Sequence, residues 1–119
     1  MSLTFGSEKV SDIAKRMDLP GDVVEKAEWL AKRADFEHPI NRSPDVIAAG
    51  AVYIACRLHN ERRYRGEVTD VSGVSKQSIT ECYQEICYHE DILLGKETKL
   101  GRKQRQEGVT YGDFTGGPE

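Results

Sequence analysis

The run Ser75-Lys76-Gln77-Ser78-Ile79-Thr80 carries the side chains best placed to do chemistry in this sequence. That chemistry is recognition. An amide such as Gln77 can pair with an adenine edge in a major groove. Lys76 can reach a phosphate, and Thr80 can meet a phosphate or a thymine methyl. Glu81 would be repelled by a phosphate backbone or would accept from cytosine. Just upstream, Arg57, Arg62, Arg63 and Arg65 form a basic cluster.

Other chemistries find less support. Cys87-x-His89 offers two metal ligands, but structural zinc takes four and no second pair lies nearby. Cys87, His89, Glu90 and Asp91 are neighbours in sequence, yet no companion motif accompanies them. Glu67 and Asp70 read as solvated helix faces. No glycine loop is built to cradle phosphate, because Gly112 and Gly116-Gly117 fall in the tail. The expectation is a protein that is not an enzyme and holds no cofactor and no metal. Three cysteines, Cys56, Cys82 and Cys87, have no paired spacing. That argues against a disulfide framework and for a reducing compartment. The longest apolar run, Val46 to Cys56, is too short for a membrane span. An intracellular, nucleoid-associated protein with no membrane contact is expected. The net charge of −3 leans against nucleic acid, but the local arginines oppose that total.

Five helices and no convincing strand must position these residues. Val10, Ile13, Ala14 and Met17 share one helical face, with Ser7 as a candidate cap and Leu19-Pro20 as the stop. Pro20 and Asp22 open a second helix striped by Val23, Ala27, Leu30, Ala31 and Ala34, with Trp29 beside the stripe, at the core edge or on a partner face, the core edge being favoured. Ser43-Pro44-Asp45 is a strong start for a third: a cap, a proline at the first helical position and an acid in the first turn. Every residue from Val46 to Cys56 is apolar or glycine. A helix apolar all round must be wrapped by others. Tyr64, Val68 and Val71 mark a short fourth helix, which Gly73 can end in a left-handed conformation. Ser75 caps a fifth, whose apolar face is Ile79, Cys82, Tyr83 and Ile86.

The last two helices have the layout of a helix-turn-helix at about 64–87. Val68 anchors the first, Val74 plugs the core, and Lys76, Gln77, Thr80 and Glu81 face outward. The same pattern also suits a helical hairpin with solvated polar positions. Residues 1–7 read as a loose lead-in, 8–94 as the working domain, and 95–119 as a disordered basic and Gly-rich tail. That tail is either an arm along a DNA backbone or a solvated end.

The run RSPDVIAAGAVYIACRLHNERRYRGEVTDVSGVSKQSITECYQEI resembles the cyclin-like repeat of transcription factor B, the archaeal counterpart of eukaryotic TFIIB. It is most similar to the second, C-terminal repeat. The resemblance rests on Ser43-Pro44, Ala48-Ala49, Tyr53-Ile54-Ala55, Arg62-Arg63, Glu67-Val68, Gly73-Val74-Ser75, Ile79 and Tyr83. Upstream, IAKRMDLPGDVVEKA resembles the family's first two helices, so about residues 8–90 are covered. It implies an all-α, five-helix cyclin-like box around the apolar helix, with a C-terminal helix-turn-helix. It also implies promoter DNA beside TATA-binding protein as the partner, and the RNA polymerase machinery indirectly. On that reading Arg62, Arg63, Arg65 and Lys76 touch phosphates, Ser75 starts the recognition helix, and Gln77 and Thr80 read bases. Departures are present. The family's cap on the fourth helix is usually Thr and here is Tyr64, with Gly66 following. Its base-contacting valine and arginine correspond to Gln77 and Thr80. Neither a zinc ribbon nor a first repeat is present, so an excised domain or a stand-alone single repeat is expected. A cyclin-like module that binds protein and has dropped DNA remains the alternative.

Overall fold

A computed structural model describes residues 5–93 and the pair 110–111. The helices are α1 (Gly6–Met17), α2 (Gly21–Lys32), α3 (Pro44–Leu58), α4 (Arg65–Ser72) and α5 (Lys76–Glu90). The all-helical, five-helix reading holds. Among the described residues the extended pairing is one parallel two-residue ladder, β1 (Ile92–Leu93) with β2 (Thr110–Tyr111). The remainder of the tail, and its expected disorder, lies outside the described residues.

Helix α3 packs against each of the other four helices. Its start is as expected: the Ser43 side chain accepts from Val46 N, with Pro44 at the first helical position. Every residue from Ile47 to Arg57 is buried. Small side chains allow close approach. A Cβ on Gly50 would lie 2.7 Å from Cys82 Sγ, so α5 comes as near to α3 as a glycine permits. One step along, the Tyr53 and Tyr83 rings tilt together with centroids 4.9 Å apart, joining the same two helices. Burial pushes the Cys56 and Cys82 thiols up to about 12, and all three cysteines are buried and outside any disulfide.

Four local expectations need correction. Helix α1 begins at Gly6, so Ser7 lies inside it and does not cap it. The reason is distant in sequence: Asp35 accepts from Gly6 N and Ser7 N, each at 3.1 Å, while Glu8 accepts from Phe5 N. Pro20 is the residue before α2 and not within its first turn. Trp29 is 45% exposed and is no core edge. At 100° per residue it stands about 200° round α2 from buried Ala27, on the back of the stripe. There Lys26 and Arg33 lie over its ring, at 4.4 and 5.0 Å from the centroid. Finally, Arg57 does not join the basic surface. It is 3% exposed, and its Nη1 donates to the Tyr53 hydroxyl at 2.8 Å.

Helix α2 runs on into a π-helical turn, Arg33–Glu37, in which His38 N donates to Arg33 O. The widened turn carries Asp35 to the start of α1. It also sets Arg33 and His38 against Glu90 at the end of α5, at 2.5 and 3.1 Å.

Candidate nucleic-acid interface

The turn between α4 and α5 is built from short-range hydrogen bonds. Gly73 takes φ +78°, a left-handed conformation that costs a glycine little. Its N–H donates to Thr69 O, Ser72 Oγ donates to Val68 O, and Val74 N donates to Ser72 Oγ. Val74 is buried, and Ser75 Oγ accepts from Ser78 N at 3.1 Å as the expected cap of α5. The entry to α4 is completed from inside the helix, where Glu67 accepts from Tyr64 N. Ile79, Cys82, Tyr83 and Ile86 then bury one side of α5. Ser75, Lys76, Gln77 and Glu81 are left exposed.

The residues expected to make contacts are thus brought to one region, but not in equal condition. Arg62 is exposed in the α3–α4 connection. Arg63 is half-buried and paired with Glu61 and Glu67 at 3.2 and 3.4 Å. Burial works to lower its pKa, but the hydrogen bond and charge of Glu61, with the charge of Glu67, outweigh that and raise it. Its positive charge is largely answered within the protein. Arg65 reaches across to α5, where its Nη1 donates to Thr80 Oγ1 at 2.5 Å. Thr80 Oγ1 in turn donates to Lys76 O at 2.9 Å. The Thr80 hydroxyl is therefore engaged on both sides. Lys76 lies over Gly66, where a Cβ would sit 3.4 Å from its Cε.

Electrostatics are balanced here. Residues 61–81 hold Arg62, Arg63, Arg65 and Lys76 against Glu61, Glu67, Asp70 and Glu81. A surface of this kind takes little from non-specific phosphate attraction.

One participant was not visible in the sequence. Arg42, in the polar link before α3, reaches α5 and donates from Nε to Glu85 Oε1 at 2.5 Å and approaches Glu81 at 3.5 Å. Burial works to lower its pKa, and the hydrogen bond and charge of Glu85, with Glu81, outweigh that and raise it. Glu81 also accepts from Gln77 Nε2 at 3.2 Å. Arg42 lies 43 residues before Glu85 and 39 before Glu81, and no periodicity signals the contact.

The other candidate chemistry takes a different shape. Cys87 is turned into the core, while His89 is exposed and stacks on His38 with centroids 5.5 Å apart. Among the described residues no three or more His, Cys, Asp or Glu side chains gather as a metal site. Nor, among them, is any helix long and apolar enough to cross a membrane.

The profile of the Transcription factor TFIIB repeat matches residues 1–89. This chain belongs to the TFIIB repeat family. Proteins named Transcription initiation factor IIB are similar to it. The one from Methanococcus aeolicus is 40% identical over 84 residues, which is 70% of this chain and 25% of the relative. The one from Methanothrix thermoacetophila is 42% identical over 71 residues, 59% of this chain and 21% of the relative. The Drosophila virilis protein is 34% identical over 84 residues, 70% of this chain and 29% of the relative. The chain thus spans about a quarter of the length of the curated relatives it matches. It is a domain of the transcription-initiation-factor type, not an enzyme, and its cyclin-like all-α fold is the one its sequence resembles.

Proposed function

We propose that this TFIIB repeat binds promoter DNA in the major groove through α4, the Gly73–Ser75 turn and the first turns of α5, beside TATA-binding protein. Any link to RNA polymerase is then indirect. The observation that carries this reading is the division of α5. Ile79, Cys82 and Tyr83 are spent on the core, while Ser75, Lys76 and Gln77 open to solvent at its start. Lys76, Arg62 and Arg65 are the phosphate contacts in this reading, and Gln77 and the Thr80 methyl read bases. Arg63 contributes little, because Glu61 and Glu67 already hold it.

Binding is accordingly modest. With about two or three phosphates neutralised, affinity falls about 10- to 40-fold between 50 and 200 mM salt. Fluorescence anisotropy with a labelled duplex at those two concentrations tests it, for the chain and for Lys76→Ala. The variant should weaken binding evenly across sequences and cut the salt slope by about 1. Absence of binding at the lower salt refutes the reading. The second reading, a protein-binding cyclin-like module, is favoured by one observation: Trp29 stands exposed between Lys26 and Arg33 on the back of α2.

A further inference from the structure

We infer that Gln77 reads an adenine, that Glu81 sets this preference by engaging one of its amide hydrogens, and that Arg42 positions Glu81. This rests on the DNA-binding reading above and gives it a base preference.

A glutamine carboxamide has one acceptor oxygen and two donor hydrogens. Left alone, it can present both hydrogens to guanine, whose major-groove edge is two acceptors, or one of each to adenine, whose edge is one donor and one acceptor. Gln77 is not left alone. Its Nε2 donates to Glu81 Oε2 at 3.2 Å, one helical turn on. When the hydrogen trans to the oxygen is the one used, the cis hydrogen remains beside that oxygen. The outward edge is then one acceptor and one donor, which complements adenine and leaves a guanine acceptor unmatched. The Glu81 carboxylate adds a second obstacle, since it repels guanine O6 where adenine offers an N6 donor. Thr80 does not compete as a polar reader, because its hydroxyl is taken by Arg65 and by Lys76 O.

A carboxylate on a DNA-facing helix is otherwise a liability, since the phosphates repel it. Arg42 answers this from outside the helix-turn-helix. It spans Glu85 and Glu81, fixing the latter from the side away from Gln77 Nε2 through its other oxygen, Oε1. Arg42 is a positioning residue: it acts on base choice only through Glu81.

The test is selection of binding duplexes from a pool randomised over eight base pairs, followed by sequencing. The full chain, Glu81→Ala and Arg42→Met are compared. A duplex with 7-deazaadenine at the preferred position, which lacks the N7 acceptor, is then titrated. The expected result is enrichment of adenine over guanine at one position by about tenfold or more, and comparable weakening by 7-deazaadenine. Glu81→Ala should still bind DNA, with that preference largely gone. Arg42→Met should lose part of it. Glu81 is exposed, so its variant tests the idea even if Arg42→Met is poorly folded. Binding with guanine preferred at that position, or an adenine preference that Glu81→Ala leaves intact, overturns this inference while leaving DNA binding standing. No binding by any form overturns the DNA reading itself, and this inference with it.

Discussion

Replacing Gly50 by alanine tests how α3 sets the place of α5. The added methyl carbon would lie 2.7 Å from Cys82 Sγ, 3.2 Å from Cys82 Cβ and 3.4 Å from Tyr83 N. An ordinary carbon–sulfur contact is roughly 1 Å longer than the first of these. Rotating the thiol away relieves only the first contact, and both helices are fully buried there. Overpacking of this kind costs about 1–3 kcal/mol. Against it stands a gain of about 1 kcal/mol from replacing a helical glycine by alanine. The net expectation is a loss of up to about 2 kcal/mol, a Tm lower by up to roughly 15 °C for a domain of this size. Thermal unfolding followed by circular dichroism measures it. Cys82→Ala supplies the control, since it removes the sulfur that the new methyl strikes. In a double-mutant cycle the two changes together should cost at least about 1 kcal/mol less than their sum. A Gly50→Ala chain more stable than the parent, or strictly additive effects, would refute the close α3–α5 approach.

Two further outcomes follow from the same structure. Ser75→Ala removes the acceptor for Ser78 N at the start of α5. It should cost about 1 kcal/mol, read as a lower urea midpoint with unchanged slope. Cys56 and Cys82 give a pH dependence. Burial pushes both thiols from 9.0 up to about 12, so they ionise in the unfolded chain before they do so in the folded one. Their contribution to stability is intact below pH 9 and is lost as pH rises from there toward 12. Urea midpoints should therefore fall between pH 8 and pH 10.5, with thiolate absorbance appearing only as the chain unfolds.

Much of this fold was legible because its signals are local. Ser43-Pro44-Asp45 and Gly73-Val74-Ser75 specify a helix start and a turn from adjacent side chains, and the structure uses both as expected. The unbroken apolar run of α3 forces a central position whatever its partners are. What escaped depends on chain closure. Asp35 takes the cap that Ser7 was expected to supply because a π-helical turn delivers it 28 residues away. Arg57 looked like one more basic surface residue, yet it ends a buried helix and lies along Tyr53. Trp29, favoured at the core edge over a partner face, stands by its helical phase on the exposed back of α2. At the candidate interface, residue types drew attention to the start of α5, where Ser75, Lys76 and Gln77 are exposed. They did not reveal that Arg63 is held by Glu61 and Glu67, that Arg65 reaches Thr80, or that Arg42 arrives from a distant link.

The central claim is that the open side of the α5 start meets DNA. The most direct measurement is a two-dimensional amide NMR titration of the isotope-labelled chain with a duplex, at low salt. The account predicts shifts concentrated at residues 62–66 and 75–81, while the Trp29 indole signal stays in place. Shifts centred on Trp29, His38 and His89 instead, or none at all, would contradict it.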